Sequence, residues 1–245
     1  MNENNKINII FFGTILSIGL IIAALIIGGT WRKVSRNSVT ITVTGSASKQ
    51  IRSDLATWDG NYTVSSTTLT DAYSKLQATQ SKVKSYLVSK GFSEDKMKFT
   101  SINTTTLYVH NDKGTVTDQV SGYKLSQGVS IESNDVDKID QLSREATELI
   151  NQGVEINSSP PEFYYTKLGE LKIEMIGLAS KDAKSRAEQI ANSTGNKIGE
   201  VRSSKMGVIQ VTAKNSTDVS DYGVNDVSSL DKTITAVVSM SFSIE

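Results

Sequence analysis

The chain has 245 residues, with 26 Lys and Arg balancing 26 Asp and Glu, no Cys and one His. Zero net charge leaves no basic excess to neutralise a phosphate backbone, which excludes nucleic acid as the main partner. Without cysteine there are no disulfides, thiolate metal sites or cysteine nucleophiles, and the lone imidazole, His110, cannot build a multi-histidine metal centre.

Residues 7–30 carry no charge and are dominated by Ile, Leu and Phe. About 20 apolar residues at 1.5 Å each cross a ~30 Å hydrocarbon core, so the pattern predicts a single transmembrane helix and makes the membrane a partner through 7–30. Ala23 and Ala24 lie inside the run and its exit is Gly-Gly-Thr-Trp, which favours a retained anchor over a cleaved signal. Trp31 suits an interfacial position, and Lys6 and Arg32 can snorkel. This divides the chain into a tail and anchor at 1–33, a linker at 34–38 and a domain at 39–245. Arg32, Lys33 and Arg36 outnumber Lys6, which points the domain toward the cytoplasm, yet long domains translocate largely regardless of charge.

Alternation predicts a strand over 39–45, with Val39, Ile41 and Val43 on one face and a bulge or strand end at Gly45. A second strand covers 55–66, with Ala56, Trp58, Tyr62 and Val64 sharing a face. Thr68 and Asp71 have capping-box spacing before a helical stripe of Leu69, Ala72, Leu76, Val83 and Leu87, closed by Gly91. Strands follow over 99–109 and 122–132, joined by a polar hairpin loop at 110–121. Ser133 or Asn134 caps a helix with the stripe Val136, Ile139, Leu142, Ala146, Leu149 and Ile150, stopped by Gly153. Beyond Pro160 and Pro161 comes a short strand at 163–166. The longest helix spans 171–194, with Leu171, Met175, Leu178, Ala179, Ala183, Ala187, Ile190 and Ala191 inward; its alanines allow close approach to a sheet. A strand at 200–211, a polar mobile loop at 214–231 and a final strand through Ile234, Ala236, Val238, Met240, Phe242 and Ile244 complete the order β-β-α-β-β-α-β-α-β-β. That order is α+β: one domain of antiparallel sheet with helices on one face.

Three stretches carry a resemblance. The first is Val-Thr-Ile-Thr-Val-Thr-Gly-Ser-Ala-Ser at 39–48 with Ser-Asp-Leu-Ala at 53–56, where Ser53 replaces a usual proline. The second is Gly-Tyr-Lys-Leu-Ser-Gln-Gly-Val-Ser-Ile at 122–131. The third is the Ala-rich helix from Ala179 through Gly195 to Gly199 and Glu200. Together they resemble the SIMPL (DUF541) domain family, in particular its bacterial envelope members of the YggE and Brucella immunogen types. The resemblance implies an exported envelope domain, often oligomeric, with loose links to stress tolerance and no established catalytic mechanism.

Single residues add little chemistry. His110 sits in the expected loop without a nucleophile nearby and reads as solvated. Asp54 is a turn carboxylate rather than a cation ligand. Trp58 and Tyr62 read as core, whereas one of Tyr164 and Tyr165 suits an interface. Lys181, Asp182, Lys184, Arg186 and Glu188 form the wet face of their helix. No catalytic, cofactor-binding or metal residue is assigned and no cofactor is implied. The expected function is a non-enzymatic, single-pass envelope protein with its domain extracytoplasmic, acting by homo-oligomerisation or by binding an envelope protein. Open strand edges at 39–45 and 233–245 are the expected contacts. A cytoplasm-facing anchored adaptor is the alternative, and an enzyme the third reading.

Overall fold

A computed structural model describes residues 3–36 and 39–245; in the first helix it describes the side chains of 13, 14 and 16–30. That helix, α1, is Glu3–Arg36. Among the described residues no helix is long and apolar enough to cross a membrane, which overturns the transmembrane helix expected at 7–30. Ser17, Gly19, Gly28, Gly29 and Thr30 dilute the apolar run, and the Ser17 and Thr30 hydroxyls donate back to the carbonyls of Gly13 and Ile26 at 2.8 and 2.9 Å. The side chains of Lys6, Trp31, Arg32, Lys33 and Arg36, expected to flank a span, lie outside the described residues.

After α1 the elements are β1 (Thr40–Arg52), β2 (Leu55–Ser66), α2 (Leu69–Ser89), β3 (Met97–Phe99), β4 (Asn103–His110), β5 (Val116–Ser133), α3 (Val136–Glu145), β6 (Glu155–Ser158), β7 (Glu162–Tyr164), α4 (Leu168–Ser193), β8 (Ile198–Met206), β9 (Gln210–Ala213) and β10 (Asp231–Ile244). The α+β class with antiparallel sheets is as expected. The chain groups into two compact units, one of Met1–Ala47, Glu174–Val208 and Ala236–Glu245, the other of Ser48–Ile173 and Ile209–Thr235.

In the first unit β10 lies between β1 and β8. Small residues set its packing. A Cβ on Gly45 would stand 2.2 Å from the Ala179 carbonyl oxygen and 2.3 Å from the Ala183 nitrogen. Glycine here is therefore not a strand end: it lets the α4 backbone touch mid-strand β1. Met175, Ala179, Ala183, Ala187 and Ala191 are buried at four-residue spacing, while Leu178 and Ile190, expected inward, are exposed. Asp182 of the supposed wet face accepts the Ser46 N–H at 2.8 Å and the Arg186 Nε–H at 2.8 Å.

The second unit holds the larger core. β2 pairs along β5 from Ala56↔Ser133 to Ser66↔Tyr123, and β6 and β7 pair with the outer side of β2. β3 and β4 pair with β5 opposite β2, so they form the other edge. α2 and α3 pack against β2 and β5. Between them Trp58, Leu76, Leu87, Leu125, Ile131, Ile139, Leu142 and Leu149 are buried. Each aliphatic member contributes about 1.5–3 kcal/mol relative to exposure. Thr68 caps α2 by accepting the Asp71 N–H; the Asp71 carboxylate turns instead to Ser66 and Lys75, so the reciprocal half of a capping box is absent. Asp135, rather than Ser133 or Asn134, caps α3. Beyond Glu145 the helix tightens into a 3-10 turn that ends at left-handed Gly153.

Four boundaries differ from expectation. The strand expected at 99–109 breaks into β3 and β4: the Thr100 N–H still reaches the Gly128 carbonyl, but between Phe99↔Val129 and Asn103↔Ser126 the register on β5 shifts by one residue. The loop expected at 110–121 shrinks to a turn in which the Asn111 carboxamide accepts the N–H groups of Lys113 and Thr115, and β5 already begins at Val116. β6 was not expected at all. The strand expected at 200–211 splits at Gly207, whose N–H goes to the Val237 carbonyl.

Candidate interaction edge

The expected site residues do not converge. His110 ends β4 opposite Val116 and is exposed, on a strand rather than in a loop. Asp54 accepts the Thr166 N–H at 2.7 Å on one oxygen and the Thr166 hydroxyl at 2.8 Å on the other, which occupies it as a backbone latch. The Trp58 Nε1–H donates to Ser158 Oγ at 2.9 Å, and that hydroxyl donates to the Ser143 carbonyl at 2.7 Å. The Tyr62 hydroxyl donates to Gln127 Oε1 at 2.6 Å, and Gln127 Nε2 donates to the Thr100 carbonyl at 2.9 Å. Burial pushes the Tyr62 pKa well above the usual phenol range. Both aromatics are core. Tyr164 and Tyr165 are half-buried, and the Tyr164 hydroxyl engages the Glu162 carboxylate. Among the described residues no group of three His, Cys, Asp or Glu could hold a metal ion.

One buried cation escaped the sequence reading. Lys232 is 2% exposed, and its Nζ donates to the carbonyls of Phe163 and Asp226 at 2.5 Å each. Desolvation lowers its pKa, and the Asp226 charge opposes that shift. The signal was available: Lys232 stands two positions before Ile234, on the buried phase of β10. Its effect is to fasten the segment at 214–231, which was expected to be mobile. Backbone bonds from Val211 to Val224, from Phe163 to Val227 and from Ser53 to Leu230 fasten it further.

Several sheet edges are open among the described residues: β1 and β8 flank β10, so 233–245 is not the open edge expected while 39–45 lies on an edge strand, and β4 flanks β5. β4 pairs with β5 alone among the described residues, leaving one row of N–H and C=O groups free. Beside its start lies a groove of about 450 Å³ lined by Leu69, Thr70, Tyr73, Ile102, Thr104 and Leu125. Farther out, β4 and the first part of β5 form an arm on which Tyr108, Val116 and Val120 are exposed. An open edge beside an apolar groove suits an added strand: the backbone supplies hydrogen bonds, and alternate side chains enter the groove.

Comparison with known families adds identity. Residues 41–242 match the model of SIMPL, described as a protein of unknown function (DUF541). The chain belongs to the SIMPL family. The SIMPL match runs from β1 into β10, so it takes in residues of both compact units. No curated protein matches the sequence.

Proposed function

We propose that this SIMPL protein is a non-enzymatic component of the cell envelope, with its domain outside the cytoplasm, and that it works by self-assembly or by binding another envelope protein. The observation that carries the reading is the free β4 edge beside the groove of Leu69, Tyr73, Ile102 and Leu125. Placement in the envelope is supported by the three motifs that resemble envelope members of the family.

The test is light scattering on the purified full chain across a wide concentration range. A mild non-ionic detergent is included because Leu16, Leu20, Leu25 and Ile27 of α1 are exposed and would associate in water. The mass should rise with concentration, and Thr105→Glu, which places a charge on the edge, should prevent the rise. A strictly monomeric chain overturns self-assembly. Association that Thr105→Glu leaves intact overturns the choice of edge.

A further inference from the structure

The reading of β4 as a binding edge can be taken to a specific partner and register. Residues 102–110 contain no Asp, Glu, Lys, Arg or Pro, the usual devices that block an edge. A copy of the strand can therefore lie against it without like-charge repulsion. The register shifts on either side of Tyr108 do not interrupt this edge. Leu107 pairs with Gly122, Tyr108 with Val120 and His110 with Val116, so the extra residues, Ser121 and two of 117–119, lie on β5.

The groove and its occupant are both on this strand. Thr104 lines the groove and pairs with Leu125, which also lines it. Across the mouth Leu69 and Tyr73 are 47% and 50% exposed. Tyr108 is 43% exposed, and alternation sets it on the same face as Thr104. Four positions at ~3.3 Å put it about 13 Å along the strand, too far to fill its own groove.

Two identical antiparallel strands pair about a two-fold axis normal to the sheet, so one residue must meet its own copy. An axis at Thr106 sets Tyr108 of the second copy opposite Thr104, at the groove. An axis at Thr105 carries it to Ile102, before the strand begins; an axis at Leu107 leaves it opposite Thr106, beyond the groove. We propose that two copies of this chain join edge to edge through β4 about Thr106, each inserting Tyr108 into the other's groove. Burying Leu69, Tyr73 and Tyr108 on both copies removes about 500 Å² of apolar surface, and the paired edges raise the total to roughly 1,000 Å², the floor for a specific interface. The dimer is accordingly weak and concentration dependent.

The chain has no cysteine, so single thiols report the register. Residues directly opposite in an antiparallel pair have Cα atoms about 4.5–5.5 Å apart, within disulfide reach, whereas positions two residues off the axis are not. The full chain in mild detergent is oxidised gently at a concentration where it associates. Thr106→Cys should cross-link at least tenfold faster than Thr104→Cys, and adding Tyr108→Ser should slow it about tenfold. Unchanged melting of each variant separates these effects from misfolding. If the chain associates, Thr105→Glu prevents it, and Thr106→Cys is no faster than Thr104→Cys, the edge stands and this register is overturned. If Tyr108→Ser leaves rapid Thr106→Cys cross-linking unchanged, the insertion of Tyr108 is overturned. A monomeric chain that never cross-links removes both the edge and the register.

Discussion

β5 is one strand with two fates. From Gly122 to Ser133 it lies between β2 and the β3–β4 edge, beneath α2 and α3, and Leu125, Gln127, Val129 and Ile131 are buried. From Val116 to Ser121 it has β4 as its only neighbour among the described residues, and Val116 and Val120 are exposed. Both halves carry β-branched residues. What differs is the second layer: an apolar strand face is buried only where another element covers it. The inner half therefore determines stability, while the outer half is free to determine contacts.

The strongest test of that contrast is Leu125→Ala. Leu125 is 1% exposed under α2, so truncation removes transfer energy and leaves a cavity, at a cost of about 2–5 kcal/mol. Denaturant unfolding should show a large drop in midpoint with an unchanged slope. A loss below ~1 kcal/mol would mean that the inner half is no better packed than the arm.

A smaller effect comes from the polar link inside the same half. Tyr62→Phe removes the donor to Gln127 Oε1 and leaves a buried acceptor unpaired, at about 1–3 kcal/mol. It should also alter the alkaline limb. The folded pKa of Tyr62 is raised by burial, so the unfolded chain releases this proton first. Its contribution is whole below about pH 10 and declines as pH climbs from there toward the raised value. Chemical denaturation from neutral to alkaline pH should show the unsubstituted chain losing stability above about pH 10 more steeply than Tyr62→Phe. Equal slopes would mean that Tyr62 is not held protonated by the core.

The inner half was largely legible in the sequence, because Tyr123 to Ile131 alternate and the Thr68 and Gly91 signals fix α2. The arm was not. Asn111, Asp112, Lys113 and Gly114 signal a turn, but nothing local says that strand pairing resumes at Val116 instead of Gly122. β6 was hidden for a related reason: its four residues are too few to establish a period, and among the described residues its only strand partner is β2. Lys232 shows the reverse error. The β10 alternation extends to it, but a lysine on a buried face reads as the end of a strand until two carbonyls are found at its ammonium. The 7–30 stretch was judged from its length, its lack of charge and its flanks, and the glycines, Ser17 and Thr30 that interrupt its aliphatic residues were given too little weight.

The smallest stability effect belongs to the arm and completes the contrast. Val120 lies in the same strand as Leu125 but is 44% exposed. Val120→Ala should shift unfolding by no more than about 0.5 kcal/mol, the ordinary range for a surface change. His110→Ala should behave alike, since the ring is exposed at the end of β4. Both are to be measured beside Leu125→Ala under the same denaturant conditions. Should either arm variant cost as much as ~2 kcal/mol, the arm must be covered in the folded protein, and the surface assigned to binding would already be occupied.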